Sequence, residues 1–160
     1  MKLLESIKQF FAGLSDGQKI HDPVFGPLYW DSDWWYVNHV FAPTGKEIGV
    51  SIVTEGQPPD DRHRALYSEI ESRYPLLQDT IVDALFETLL QEFKQHSRHL
   101  LDRCRRDDLW KQLRHEGLCI ESVASQPRQW SLSYYCGWSD CVYDIHMADW
   151  SVAKVENIGG

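Results

Sequence analysis

The sequence predicts a single α+β domain: an N-terminal helix, an antiparallel β-meander, central helices and closing antiparallel strands. Three observations carry that expectation. The 160 residues are a one-domain length. Runs rich in β-branched and aromatic residues lie on both sides of a middle stretch with helical periodicity. No internal repeat, low-complexity tract or linker divides the chain.

The first element is an amphipathic helix over residues 1–15. Leu3, Leu4, Ile7, Phe10, Phe11 and Leu14 recur at helical spacing and form one apolar stripe. The polar side of that helix is not markedly basic, so the stripe is expected to dock on its own domain rather than on a membrane. The segment "SDGQKIHDP" then breaks the pattern with Asp16-Gly17 and Pro23.

Residues 24–54 read as a three-stranded meander made of "VFGPLYW", "DWWYVNHVF" and "KEIGVSIVT". A two-residue turn after Trp30 puts Leu28, Trp30, Trp35, Val37 and Phe41 on one face. The "APTG" turn adds Ile48, Val50 and Ile52 to that face, so two independent turns agree on parity. Phe25, Tyr29, Trp34 and Tyr36 fall on the other face. Residues 60–116 read as helical, opening with Pro-Pro before Asp60 and Asp61, which suit a helix N-terminus. Leu66, Tyr67, Ile70 and Tyr74 form a first buried stripe, and Pro75 is expected to end that helix. A second helix then buries Leu77, Ile81, Leu85, Leu89 and Phe93, with Leu76, Phe86 and Leu90 widening its apolar side. "DDLWKQLRHEG" reads as a short helix stopped by Gly117. Strands return over 118–158, where Trp130, Leu132, Tyr134 and Cys136 alternate with serine or tyrosine.

The net charge is −8 and unevenly spread. Residues 94–115 hold 7 Lys/Arg against 3 Asp/Glu, while the rest of the chain is acidic. An acidic body argues against nucleic acid as the partner and suits a basic protein. "MKLLESIKQFFAGL" lacks the pattern of a secretory signal, because Glu5 and Lys8 interrupt it. No run approaches the ~18 apolar residues of a membrane span. With four cysteines read as reduced thiols, the expected location is the cytoplasm.

Catalytic constellations are sparse. The sequence has no G-x-S-x-G, H-E-x-x-H, phosphate-binding glycine loop or dinucleotide fingerprint. His96, His99 and Cys104, or Cys136, Cys141 and His146, do not follow a zinc-site spacing. No catalytic residue, cofactor or metal is therefore assigned. Asp31 and Asp33 between Trp30, Trp34 and Trp35 would suit a carbohydrate platform or an enzyme using that hairpin, but their place in a tight turn accounts for them more simply.

"HDPVFGPLYWDSDWWYVNHVF" and "GKEIGVSIVTEGQPPDDRHRALYSEI" resemble the opening of a bacterial family of unassigned function. Its members begin "D-x-x-F-G-x-L" and continue through a tryptophan-bearing hairpin and a "G-K-x-I" strand into helices. The tail, from "DDLWKQL" to "WSVAKVENIG", is similar to the family's closing part, with its "L-W-x-x-L" helix. The family's "W-D-x-E-H" reads "GWSDCVYDIH" here, so the acidic pair before the histidine is disrupted. Members often sit beside polymorphic or contact-dependent toxins, so the resemblance implies an immunity role for some of them and identifies no catalytic residues. The expectation is a non-enzymatic interaction protein that binds a basic toxin domain. Trp34, Tyr36, Tyr29, Asp31, Asp33, Asp60 and Asp61 are the candidate contact residues. The alternative is a small-molecule or carbohydrate-binding module, or an enzyme, built on the tryptophan hairpin.

Overall fold

Among the described residues eight strands form one sheet in chain order, and a long helix inserted between the fourth and fifth covers one of its faces. A computed structural model describes residues 17–159. The helix expected over residues 1–15 lies outside them, so among the described residues the helical part is central.

The strands are β1 (Lys19–Asp22), β2 (Gly26–Asp31), β3 (Trp34–Phe41) and β4 (Lys46–Val53), then β5 (Leu113–Ser122), β6 (Gln129–Cys136), β7 (Cys141–Ala148) and β8 (Ser151–Gly159). Every neighbouring pair is antiparallel except β4 and β5. A parallel pair needs a long crossover, and the helical section supplies it.

The first half of the sheet has four strands rather than three. Residues 19–22 become β1 because Asp22 organises the reversal into β2. Its Oδ1 accepts the N–H groups of Val24 and Phe25 at 2.8 and 3.1 Å, and its Oδ2 accepts two bonds from the Arg64 guanidinium. Gly26 follows at φ 78°, a conformation that favours glycine. This gives "D-x-x-F-G-x-L" a physical meaning: a capped turn, an anchor, a left-handed glycine and a core leucine. The same turn corrects the expected side of Phe25, which is buried against Tyr67 of the helix at 5.0 Å.

Beyond that turn the parity matches the expectation. Leu28, Trp35, Val37, Phe41, Ile48, Val50 and Ile52 are all buried on the helix side, with Trp30 packed beside Trp35. The connecting turn is Ser32-Asp33 rather than the expected Asp31-Ser32, with Ser32 at φ 52°. Trp30 and not Leu28 therefore faces Trp35, a two-residue shift in register that keeps the parity.

Helix α1 (Asp61–His96) runs unbroken for 36 residues, roughly 54 Å at 1.5 Å per residue. Asp60 caps it by accepting the N–H groups of Arg62 and His63, and the His63 ring returns to the Asp60 N–H. The two helices expected on either side of Pro75 are thus one. Pro75 is exposed, so the hydrogen bond its ring forfeits lies on the solvent side, while Tyr74 and Leu77 continue the same buried stripe. Leu76 does not widen that stripe: it is 81% exposed. A 3₁₀ turn (Arg98–Arg103) and α2 (Arg106–Gln112) complete the crossover.

The helical section ends at Gln112 rather than residue 116, and "LRHEG" opens β5. Tertiary packing decides this, because His115 is drawn into the core between Tyr74 and Tyr134 at ring separations of 5.8 and 5.0 Å. The phenols of those two tyrosines are bonded to each other at 2.8 Å. No described helix is long and apolar enough to cross a membrane.

Candidate functional site

Among the described residues no helix covers the second face of the sheet, and its side chains form rows that can be read from the pairing. One row crosses all eight strands: Lys19, Tyr29, Tyr36, Ser51, Cys119, Ser131, His146 and Lys154. The adjacent row is Asn38, Gly49, Gly117, Ser133, Asp144 and Glu156. The middle of both rows is small: Ser51, Cys119 and Ser131 beside Gly49, Gly117 and Ser133. The result is a trough with an aromatic wall on β2 and β3 and a charged wall on β7 and β8.

Close approach explains the glycines. The Tyr36 ring lies across Gly49, where a Cβ would meet its Oη at 3.1 Å and its Cε2 at 3.2 Å. A Cβ on Gly117 would meet the Gly49 carbonyl at 3.3 Å. Tyr36 Oη donates to Asn38 Oδ1 at 2.5 Å, which holds the ring down. Tyr29 and Trp34 remain 41% and 40% exposed, large areas for aromatic residues on a folded surface. Lys19 Nζ stands 5.0 Å from the Tyr29 ring centroid.

On the opposite wall His146 sits between two carboxylates, with Nδ1 3.2 Å from Glu121 and Nε2 3.4 Å from Glu156. Lys154 reaches Glu156 at 3.0 Å, and Ser133 Oγ donates to Asp144 at 2.5 Å. Arg114 covers the Tyr135 ring at 4.7 Å and pairs with Glu116. Burial, reinforced by Glu121 and Asp144, pushes the Cys119 thiol up to about 12. At neutral pH this sulfur is a thiol, not a nucleophilic thiolate. Cys136 and Cys141 oppose each other on the helix-side parity, whereas His146 stands on the trough side. The three do not converge.

A cavity of about 150 Å³ opens in the trough, bounded by Tyr36, Gly49, Ser51, Cys119, Val142 and Ile158. Pockets for drug-sized ligands begin near 300 Å³. A larger cleft of about 420 Å³ lies at the end of the sheet, between the β4–α1 connection and the loop after β5. Most of its charged groups are already engaged, Asp60 with Arg62 and His63, and Glu121 with His146, which leaves Glu55.

Of the residues singled out from the sequence, Tyr29, Trp34 and Tyr36 come together on this face. Asp31 pairs with Trp34 at the rim and accepts a bond from Ser32 Oγ at 3.1 Å, and Asp33 is exposed in the turn. Asp60 and Asp61 sit apart, at the start of α1. The Arg62 guanidinium holds the Asp60 carboxyl well below the usual range, and Asp61 bonds Arg64 at 2.7 Å. Both therefore have structural work at the helix N-terminus. Sequence reasoning missed the small-residue floor, although "GVS", "GLC" and "SLS" place a small residue at every second position.

The class these features define is an α+β domain with one face of its sheet packed by helices and the other presenting an aromatic-walled trough. Comparison with protein-family models, curated proteins and solved structures finds no match to this chain.

Proposed function

We propose that this chain is a non-enzymatic binding protein that seats a basic protein partner on the face of its sheet that no described helix covers, in the manner of an immunity protein against a toxin domain. The observation that carries this reading is the eight-strand row. It provides a floor of Ser51, Cys119 and Ser131 with exposed Tyr29 and Trp34 at one side. A small-residue floor admits a protruding helix or loop, and exposed aromatics are the residue types on which interface energy concentrates. The carboxylates of Asp31, Glu47, Glu121, Asp144 and Glu156 share the face or its rim with fewer cations, and the chain carries −8. That field speeds encounter with a basic surface. The resemblance to a toxin-associated family points to the same class of partner. The trough cavity is small for a saccharide, and Cys119 is held protonated, so a sugar site or a thiol enzyme has less support.

The test is co-expression with the product of the neighbouring gene as the candidate toxin, followed by a calorimetric titration of its inactivated form. Growth rescue and a salt-sensitive affinity are expected. Trp34→Ala should weaken binding by about 2 kcal/mol, roughly 30-fold, as an aromatic anchor does. No heat of binding and no rescue would refute the reading.

A further inference from the structure

The two edges of the sheet are unequal. At one edge β1 is only four residues long and ends in Asp22, whose carboxylate is consumed by the turn and by Arg64. At the other, β8 runs for nine residues without a proline, and no described strand pairs with its outer side. Unpaired edges invite further strands, and proteins usually blunt them by shortness, proline, bulges or charge. β8 has bulges and charges, but its two charges, Lys154 and Glu156, flank Val155 and are complementary to each other across a two-fold. The ladder to β7 is irregular at Ala153 and again at Ile158, and regular between them from Lys154 to Asn157. Lys154 and Glu156 both lie in that regular segment, one on each side of Val155.

We propose that the outer edge of β8 pairs antiparallel with β8 of a second copy of this chain, about a two-fold axis through Val155 and normal to the sheet. In this register Lys154 faces Glu156 of the partner subunit, and the symmetry repeats that pair. Ala153 then faces Asn157 of the partner subunit, and Val152 faces Ile158 of the partner subunit. No like charges meet. Lys154 and Glu156 stand on the same side of the sheet, opposite His146 and Asp144 of β7, and their side chains are 61% and 45% exposed. Both can reach across the edge. Within one chain they already approach to 3.0 Å, so pairing closes a four-charge cluster rather than burying an isolated ion. An isologous contact of this kind needs the same patch to be its own complement, and the sequence "AKVEN" meets that condition. An axis normal to the sheet leaves both helix layers on one side and both troughs on the other, in one continuous sheet.

The test is static light scattering of the full chain over a concentration series, with circular-dichroism melts as the folding control. Wild type should have twice the mass of one chain. Lys154→Glu and Glu156→Lys should each be monomeric, because each sets like charges face to face. The double variant should dimerise again, and mixing the two monomeric variants should regenerate a dimer. Because these charges also touch within one chain, a second measurement stands apart from them. Val155→Cys, oxidised with copper phenanthroline, should give a covalent dimer on a non-reducing gel, since antiparallel partners sit within disulfide reach. Wild type and Ser151→Cys, the latter displaced from the axis, should not. Monomeric wild type at every concentration, failure of the folded double variant to dimerise, or equal cross-linking at residues 151 and 155 would overturn the proposal.

Discussion

At the scale of single residues, neighbouring aromatics have opposite roles. Trp35 is fully buried, and its indole Nε1–H donates to the Gln57 carbonyl at 2.8 Å, tying β3 to the loop before α1. Trp35→Ala should cost about 3–5 kcal/mol, the range for buried aromatic truncations. Trp34→Ala removes a half-exposed ring and should change the melt little. Chemical denaturation of both variants checks this. His115 supplies a pH test. Its Nε2 is 3.0 Å from the Gly117 carbonyl, so that nitrogen carries the proton, and its buried Nδ1 has no hydrogen-bond partner. Burial pulls its pKa down from 6.5 to about 4, with Lys46 adding to the effect. The folded state therefore resists a proton that the unfolded chain accepts. The stabilisation is complete above pH 6.5 and is lost as pH falls toward 4, by about 3 kcal/mol in total. Denaturation midpoints across that window should fall more steeply for wild type than for His115→Phe.

At the scale of elements, Pro75 offers the sharpest test. An interior proline costs a helix roughly 3 kcal/mol, and packing of Tyr74 and Leu77 against the sheet outweighs that here. Pro75→Ala should therefore raise stability by about 1–3 kcal/mol, read from denaturant midpoints at unchanged slope. The same element shows what the sequence alone carries. Strand parity was legible because two turns independently agreed on the face of Leu28, Trp35 and Ile48, and a one-residue slip would have exposed all three. The two-residue shift that pairs Trp30 with Trp35 keeps every side chain on its face and so leaves no trace in the pattern. The helical stripe was legible in its spacing. The continuity of α1 was not, because a local rule about the residue before proline was overruled by distant core contacts. The start of β5 was hidden in the same way, since "LRHEG" turns extended only to place His115 between two tyrosines. The turn at Asp22 depended on Arg64, 42 residues away, so Phe25 was assigned to the wrong side. The trough floor was missed for another reason: its defining feature is an absence of side-chain volume across three strands, and pairing across a crossover cannot be read from periodicity.

At the scale of the whole molecule, the single crossover sets the asymmetry from which function is argued. It places α1 on the side of Trp35 and Trp130, and leaves Trp34, Tyr29 and Tyr36 on the side reserved in this account for a partner. Attraction to a basic partner should weaken as salt rises, because the Debye length shrinks from about 10 Å at 0.1 M to about 3 Å at 1 M. The most direct measurement is a titration of the nitrogen-labelled chain with the inactivated toxin domain, following the tryptophan indole resonances. Trp34 should shift or broaden on binding. Trp35 and Trp130, whose indole N–H groups are tied to Gln57 and Asp149 carbonyls on the helix side, should stay in place. A complex in which the Trp34 signal is unmoved, while resonances around Asp60 and Asp61 shift, would contradict the account and relocate the interface to the start of α1.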